Sequence, residues 1–132
     1  MKKKILGTLL FSLFAIGMAK AQKIKIKKGI VYVDGTACLK ASGDSNSLAI
    51  SNLDGEEIIY VKYFHSSNHN ATYNTVTFLE QEQKLSSATI TFTKKYLIKK
   101  LIQTETLKDC VLDDERVEKF IIRYDEGIRS SY

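Results

Sequence analysis

The stretch EIIYVKYF at residues 57–64 decides the fold, because it carries the strongest strand signal in the chain. It is rich in β-branched and aromatic residues, which fit the pleated surface of a sheet. A second run at residues 73–79 alternates tyrosine and threonine with Val76 and Phe78. Alternation with a period of two indicates a strand that buries one face. Both runs are therefore predicted to be strands.

Shorter strand candidates lie on either side of these runs and are separated by turn signals. Residues 23–27 alternate lysine with isoleucine, and Asp34-Gly35 is a dipeptide typical of hairpins. The lysines of residues 23–27 either form an electropositive strip for an acidic partner or protect an edge strand from pairing, and the second interpretation is favoured. The other predicted strands are residues 30–33, 37–41, 48–50 and 88–93, whereas residues 42–46, 65–72 and 80–87 are predicted as polar connections.

The hydrophobic period changes at Lys94, where a helical region begins. Apolar residues between positions 97 and 102 fall on one helical face, and a second apolar stripe runs from Val117 to Tyr124. Asp113 is a good N-cap for the second helix, and Gly127 is a plausible stop signal. The order of elements predicts an α+β fold. An antiparallel sheet of six or seven strands over residues 23–93 precedes two helices, at about residues 94–106 and 114–126, packed on one face.

Residues 1–21 have the three-part layout of a cleavable secretion signal. Lys2, Lys3 and Lys4 precede an apolar run of 14 residues, and Ala19-Lys20-Ala21 is a cleavage triplet. The run is shorter than the roughly 20 residues that a membrane-spanning helix needs, although an uncleaved anchor is the alternative. We expect cleavage between Ala21 and Gln22, which leaves residues 22–132 as one globular domain.

The basic character of the chain comes mostly from this signal. The full sequence has a net charge of +5, but residues 1–21 contain four lysines and no acid, so residues 22–132 carry 16 bases, 15 acids and a net charge of +1. A nucleic-acid partner is not expected without a basic footprint. No cysteine near the cleavage site could carry a lipid. We therefore expect a periplasmic or secreted protein that is neither a lipoprotein nor stably inserted in a membrane.

Cys38 and Cys110 both remain after cleavage, and export would place them where disulfides persist. A disulfide between them is one possibility, and two buried thiols are the other. Their wide spacing supports neither a redox motif nor a zinc site.

His65 and His69 are weak candidates for metal ligands. Imidazole binds zinc, copper and nickel, but two ligands in a predicted loop make an incomplete site. No serine has a nucleophile motif, and the carboxylates are scattered along the chain. We therefore expect no catalytic residues, no cofactor and no bound metal.

Four segments together resemble small exported hypothetical proteins of Bacteroidota. They are the Ala19–Gln22 junction, the hairpin Gly29–Gly35, the segment Leu107–Cys110 and the helix Val117–Asp125. The resemblance implies an exported single domain and no particular activity.

These observations favour a non-enzymatic binding module in the cell envelope, which would bind a protein or another ligand. One alternative is a periplasmic inhibitor or immunity-type protein. Another is a small metal-dependent hydrolase that uses His65 and His69. The partner and the oligomeric state are left open.

Overall fold

A computed structural model describes residues 22–65 and 72–128, so the predicted signal segment lies outside the described residues. Seven strands form one antiparallel sheet in which each strand pairs with its neighbour in the chain. They are β1 (Ile24–Lys27), β2 (Ile30–Val33), β3 (Thr36–Gly43), β4 (Ser47–Ser51), β5 (Glu57–His65), β6 (Thr72–Phe78) and β7 (Gln83–Ser87).

Two helices follow the sheet, α1 (Lys94–Gln103) and α2 (Asp114–Tyr124). A small hairpin of β8 (Leu107–Lys108) and β9 (Val111–Leu112) lies between them and was not predicted. The predicted α+β fold, with a sheet followed by two C-terminal helices, is confirmed.

The core lies between the helices and one face of the sheet. In the centre of the sheet Ile59 pairs with Phe78, and Val61 pairs with Val76. All four side chains are fully buried, together with Leu97, Ile98 and Leu101 of α1 and Val117 and Phe120 of α2. This apolar layer explains why the alternating strand pattern and the helical stripe occur together in one sequence.

Side chains define the start of each helix. Thr93 accepts a hydrogen bond from the backbone N–H of Tyr96 at the start of α1, and Asp113 accepts one from the backbone N–H of Arg116 at the start of α2. The predicted N-cap at Asp113 is thus confirmed. Both helices end earlier than predicted. Thr104 closes α1 by donating to the carbonyl of Lys100, and Asp125 leaves α2 to bind β7.

The structure contradicts the predicted boundary between β7 and α1. Residues 83–87, predicted within a polar connection, form β7, whereas residues 88–93, predicted as a strand, pair with no strand. The alternation there reflects burial of Phe92 and partial burial of Ile90. Side chains replace the missing strand partner: Asn74 bonds to the backbone of Ile90 and Phe92, and Glu126 accepts from the N–H groups of residues 88 and 89.

A disulfide joins Cys38 of β3 to Cys110 in the β8–β9 turn, with Cα atoms 5.3 Å apart. The register between β2 and β3 shifts next to Cys38, so that Cys38 and its neighbour Leu39 are both buried. Two adjacent residues can share one face only where a bulge interrupts the pleat. The structure thus contains a disulfide between the two cysteines and not two separate buried thiols.

Neither described helix has the length and apolar character needed to cross a membrane. The two helices contain 10 and 11 residues.

Candidate functional site

The two faces of the sheet differ in what covers them. One face packs against α1 and α2, and its central residues are fully buried. The other face lies away from the core, and most of its residues are exposed or half-buried. We call this second side the open face. The paired strand positions assign to it Lys25, Lys27, Ile30, Tyr32, Ala37, Lys40, Ser42, Ser47, Ala49, Ser51, Glu57, Tyr60, Lys62, Phe64, Tyr73, Thr75, Thr77, Lys84 and Ser86.

The open face is strongly basic. Among its paired strand positions there are five lysines and a single acid, Glu57. All five lysines are exposed. Residues 22–132 as a whole carry 16 bases and 15 acids. The positive charge of this face is therefore a local segregation rather than a sign of a basic protein.

Aromatic side chains lie between the lysines at one end of the open face. The rings of Phe64 and Tyr73 are stacked across β5 and β6, with centroids 4.6 Å apart and planes 7° apart. The ammonium of Lys62 lies 5.0 Å from the centroid of the Phe64 ring, within the range of a cation–π interaction. Tyr60, one row away on β5, is 37% exposed. We call Tyr60, Lys62, Phe64 and Tyr73 the aromatic cluster.

The two edge strands of the sheet are protected in different ways. In the described part of the chain β1 pairs only with β2, so the predicted edge position of residues 23–27 is confirmed. Its lysines at positions 25 and 27 also belong to the open face, so the same residues fit both interpretations of this strip. The opposite edge, β7, is covered by the C-terminal segment, where the N–H of Glu126 donates to the carbonyl of Ser86.

Residues 125–128 form a latch along β7. Asp125 accepts from the backbone N–H of Ser86, and Glu126 accepts from the hydroxyl of Ser87. The Ser86 N–H, followed by that of Gly127, holds the pKa of Asp125 below its usual value. The Ser87 hydroxyl, followed by the N–H of residue 88, does the same for the pKa of Glu126. These hydrogen bonds give the two adjacent acids, Asp125 and Glu126, a structural role.

The predicted histidine site is only partly described. His65 is exposed at the end of β5 and pairs with Thr72, whereas His69 lies outside the described residues. His65 lines a cavity of about 430 Å³ together with Tyr63 and Asp44. Asp44 is engaged in its own turn, where the N–H groups of Asn46 and Ser47 lower its pKa. Burial raises the pKa of Tyr63, whose hydroxyl donates to the carbonyl of Phe92.

Metal-ligand chemistry finds little support in the part of the chain that the structure describes. Residues 22–65 and 72–128 contain no group of three or more histidine, cysteine or acidic side chains arranged to hold a metal ion. Cys38 and Cys110 are joined to each other. The acid predicted as an N-cap, Asp113, has that role.

A second, larger cavity lies beside the disulfide. It measures about 990 Å³ and is open to solvent between the first hairpin of the sheet and α1. Three lysines line it, at positions 95, 99 and 108, and so do three acids, at positions 34, 105 and 109. The balance of charge gives this cavity no preference for an acidic or a basic ligand, in contrast to the open face.

Sequence reasoning identified the lysines of residues 23–27 but missed the open face. Lys40 and Lys62 each lie in the polar phase of an alternating strand, which was the signal available, whereas Lys84 lies in a segment predicted as a polar connection. That phase alone does not reveal whether those lysines share one side of a sheet. The register of four consecutive strand pairings, from β3 to β7, shows that these three lysines lie on one face.

Comparison with known proteins adds no second line of inference about the site. No family model, no curated protein and no solved structure matches this chain.

Proposed function

We propose that this protein is an exported, non-enzymatic binding module of the cell envelope, and that the open face of its sheet is the binding surface. One observation carries the proposal. Seven strands present a face with five lysines and an aromatic cluster, and neither helix covers it. Tyrosine and phenylalanine are enriched in protein interfaces, and a segregated charge steers association with a partner of opposite charge.

Export is the second part of the proposal. The signal layout of residues 1–21 supports it, and so does the disulfide, because disulfides persist in oxidising compartments outside the cytoplasm. The processed protein would begin at Gln22 and would be periplasmic or secreted. Mass spectrometry of protein purified from the envelope or the medium tests this part. The expected N-terminus is Gln22, and a chain that keeps residues 1–21 in the cytoplasm would contradict it.

Within residues 22–65 and 72–128, the polar groups with shifted pKa values have structural partners, which leaves the open face as the candidate binding surface. The latch acids are bonded to β7, Asp44 is held in a turn, and Tyr63 donates to the carbonyl of Phe92. Each of these groups already has a structural partner. The lysines of the open face form no ion pair among those the structure describes, which are Arg116–Glu105 and Lys119–Glu115.

Site-specific photo-crosslinking in living cells tests the surface. A photoreactive residue at Thr75, which lies on β6 of the open face and pairs with Lys62, is compared with the same residue at Ile122, which is 75% exposed on α2. We expect crosslinked products at position 75 in at least about tenfold excess over position 122, because only the first position lies in a binding surface. Equal yields at the two positions, or products at position 122 alone, would reject the open face as the binding surface.

A further inference from the structure

We infer that the occupant of the open face is a protein whose contacting surface is acidic. This inference rests on the proposed function, since it names the partner of the same surface. Three features of the open face support it, namely the segregation of charge, the presence of the aromatic cluster and the dimensions of the sheet.

The segregation of charge predicts the sign of the charge on the partner's contacting surface. The paired positions of the open face carry five lysines against one acid, whereas residues 22–132 as a whole are nearly neutral. The lysines lie on the alternate strands β1, β3, β5 and β7, so those on different strands are about 10 Å apart or more, and together they give the face a positive potential. An acidic surface would be attracted by that potential, which accelerates association.

The aromatic cluster gives the class of partner. Protein interfaces are enriched in aromatic side chains, and Tyr60, Phe64 and Tyr73 supply three of them at one end of the open face. Lys62 lies between Tyr60 and Phe64 on β5, and the other four lysines lie on β1, β3 and β7. A uniform polyanion would need only the lysines. A protein can contact both the aromatic side chains and the lysines.

The dimensions of the open face agree with a protein partner. Neighbouring strands lie about 4.8 Å apart, so seven strands span roughly 30 Å. Four to five residues along each strand add roughly 15 Å. The resulting planar area of about 450 Å² is more than half of the roughly 800 Å² that each partner buries in a standard interface.

A second copy of this chain is a less suitable occupant. Acids of the β6–β7 connection and of the start of α2 lie together, as the contact between Gln81 and Asp114 shows. Docking that acidic region onto the open face of another copy would be a head-to-tail contact, which produces open chains unless its rotation closes a ring. An exported module that binds a separate partner avoids such polymerisation.

The test combines crosslinking with charge reversal. The photoreactive residue at Thr75 is placed in the otherwise unchanged processed protein, in the double variant Lys62→Glu/Lys84→Glu, and in the control variant Lys99→Glu/Lys119→Glu. The control changes the same number of lysines away from the open face. Circular dichroism shows whether each variant is folded, and the milder pair Lys62→Gln/Lys84→Gln is used if Lys62→Glu/Lys84→Glu does not fold.

The expected product at position 75 is another protein, degraded by protease, whose own mapped crosslink site lies among acidic residues. Its yield should fall at least tenfold in the Lys62→Glu/Lys84→Glu variant and by less than twofold in the control. Raising the salt from about 0.05 to 0.5 M in an envelope extract should also reduce the yield several-fold, since exposed charges are screened.

Four results would overturn the inference while leaving the binding surface in place. They are a protease-resistant polysaccharide product, a lipid product, a product consisting of two copies of this chain, and a protein product whose yield ignores the charge reversal. Poly-L-glutamate and polygalacturonate of equal charge serve as competitors. Competition by polygalacturonate alone would point to an acidic polysaccharide. Absence of any product at position 75 would instead reject the proposed function itself.

Discussion

Asn74 is the residue that holds the segment between the sheet and α1 in place. It is 2% exposed, and its amide donates to the carbonyls of Ser87 and Ile90, both at 2.8 Å. Its side-chain oxygen accepts from the N–H of Phe92, also at 2.8 Å. A single amide therefore satisfies three backbone groups that would otherwise have to find other partners. This role was not predicted, because Asn74 lies in a strand whose alternating pattern says nothing about such contacts.

Replacing Asn74 with alanine should destabilise the protein by about 2–4 kcal/mol, because several buried polar groups lose their partners at once. Urea unfolding of the processed chain measures the loss. Thr75→Ala is a matched control on the next residue, since Thr75 is half-buried on the open face, and it should lower stability by about 1 kcal/mol or less through its weaker strand propensity. Equal stability of Asn74→Ala and the parent protein would contradict the assigned role.

The stability that the latch contributes depends on pH. Hydrogen bonds from β7 hold the pKa values of Asp125 and Glu126 below their ordinary values of 3.8 and 4.5. A carboxylate with a lowered pKa in the folded state contributes stability that is fully present above its unfolded pKa. That contribution is lost as the pH falls through the folded pKa. We therefore expect the latch to weaken from about pH 4.5 downward.

Urea midpoints measured between about pH 3 and pH 7 test the latch. The double variant Asp125→Asn/Glu126→Gln should be less stable than the parent at pH 7, and its midpoint should change less on acidification. Asp54→Asn/Glu56→Gln, in the β4–β5 turn, is a control of equal charge change. Parallel pH profiles for the parent and the latch variant would show that these carboxylates do not stabilise the fold through β7.

At the level of elements, the sequence predicts most of the strands and both helices. Each of these elements buries one face, so its apolar residues recur with a regular period. Thr36–Gly43 and Glu57–His65 extend the predicted strands by only a few residues. Prediction failed at residues 88–93, where Ile90 and Phe92 alternate as in a strand but are held by side chains from distant segments. A hydrophobic alternation indicates which side chains are buried, but it does not indicate which groups form hydrogen bonds with the backbone.

At the scale of the whole molecule, the disulfide fastens the β8–β9 hairpin to the sheet. It joins Cys38 and Cys110, which are 72 residues apart in sequence. In the chain-entropy description, closing a loop of this length stabilises a protein by about 4 kcal/mol. The double variant Cys38→Ser/Cys110→Ser should therefore unfold at a much lower urea concentration, and dithiothreitol should lower the midpoint of the parent similarly. Two reactive thiols in denatured, unreduced exported protein would contradict the bridge.

The candidate site could be predicted only in part, because it is a property of the assembled sheet. The lysines of β1 were recognised as either an edge or a basic strip, and the structure shows that Lys25 and Lys27 fit both descriptions. Lys40, Lys62 and Lys84 come from strands separated by turns and loops, so only the pairing register places them on one face. The histidines, by contrast, stood out in the sequence and gain no described metal-ligand group in the fold.

The central claim is that the open face contacts a partner in the envelope, and lysine acetylation with mass spectrometry tests it most directly. Intact envelopes and the purified processed protein are labelled briefly with the same reagent, and modification is compared at each lysine. We predict that Lys62 and Lys84 react at least about threefold more slowly in the envelope, because a partner covers the face that carries them. Lys99 and Lys119, on the helical side, should react equally in both samples. Equal labelling of all four lysines in both samples would contradict the account.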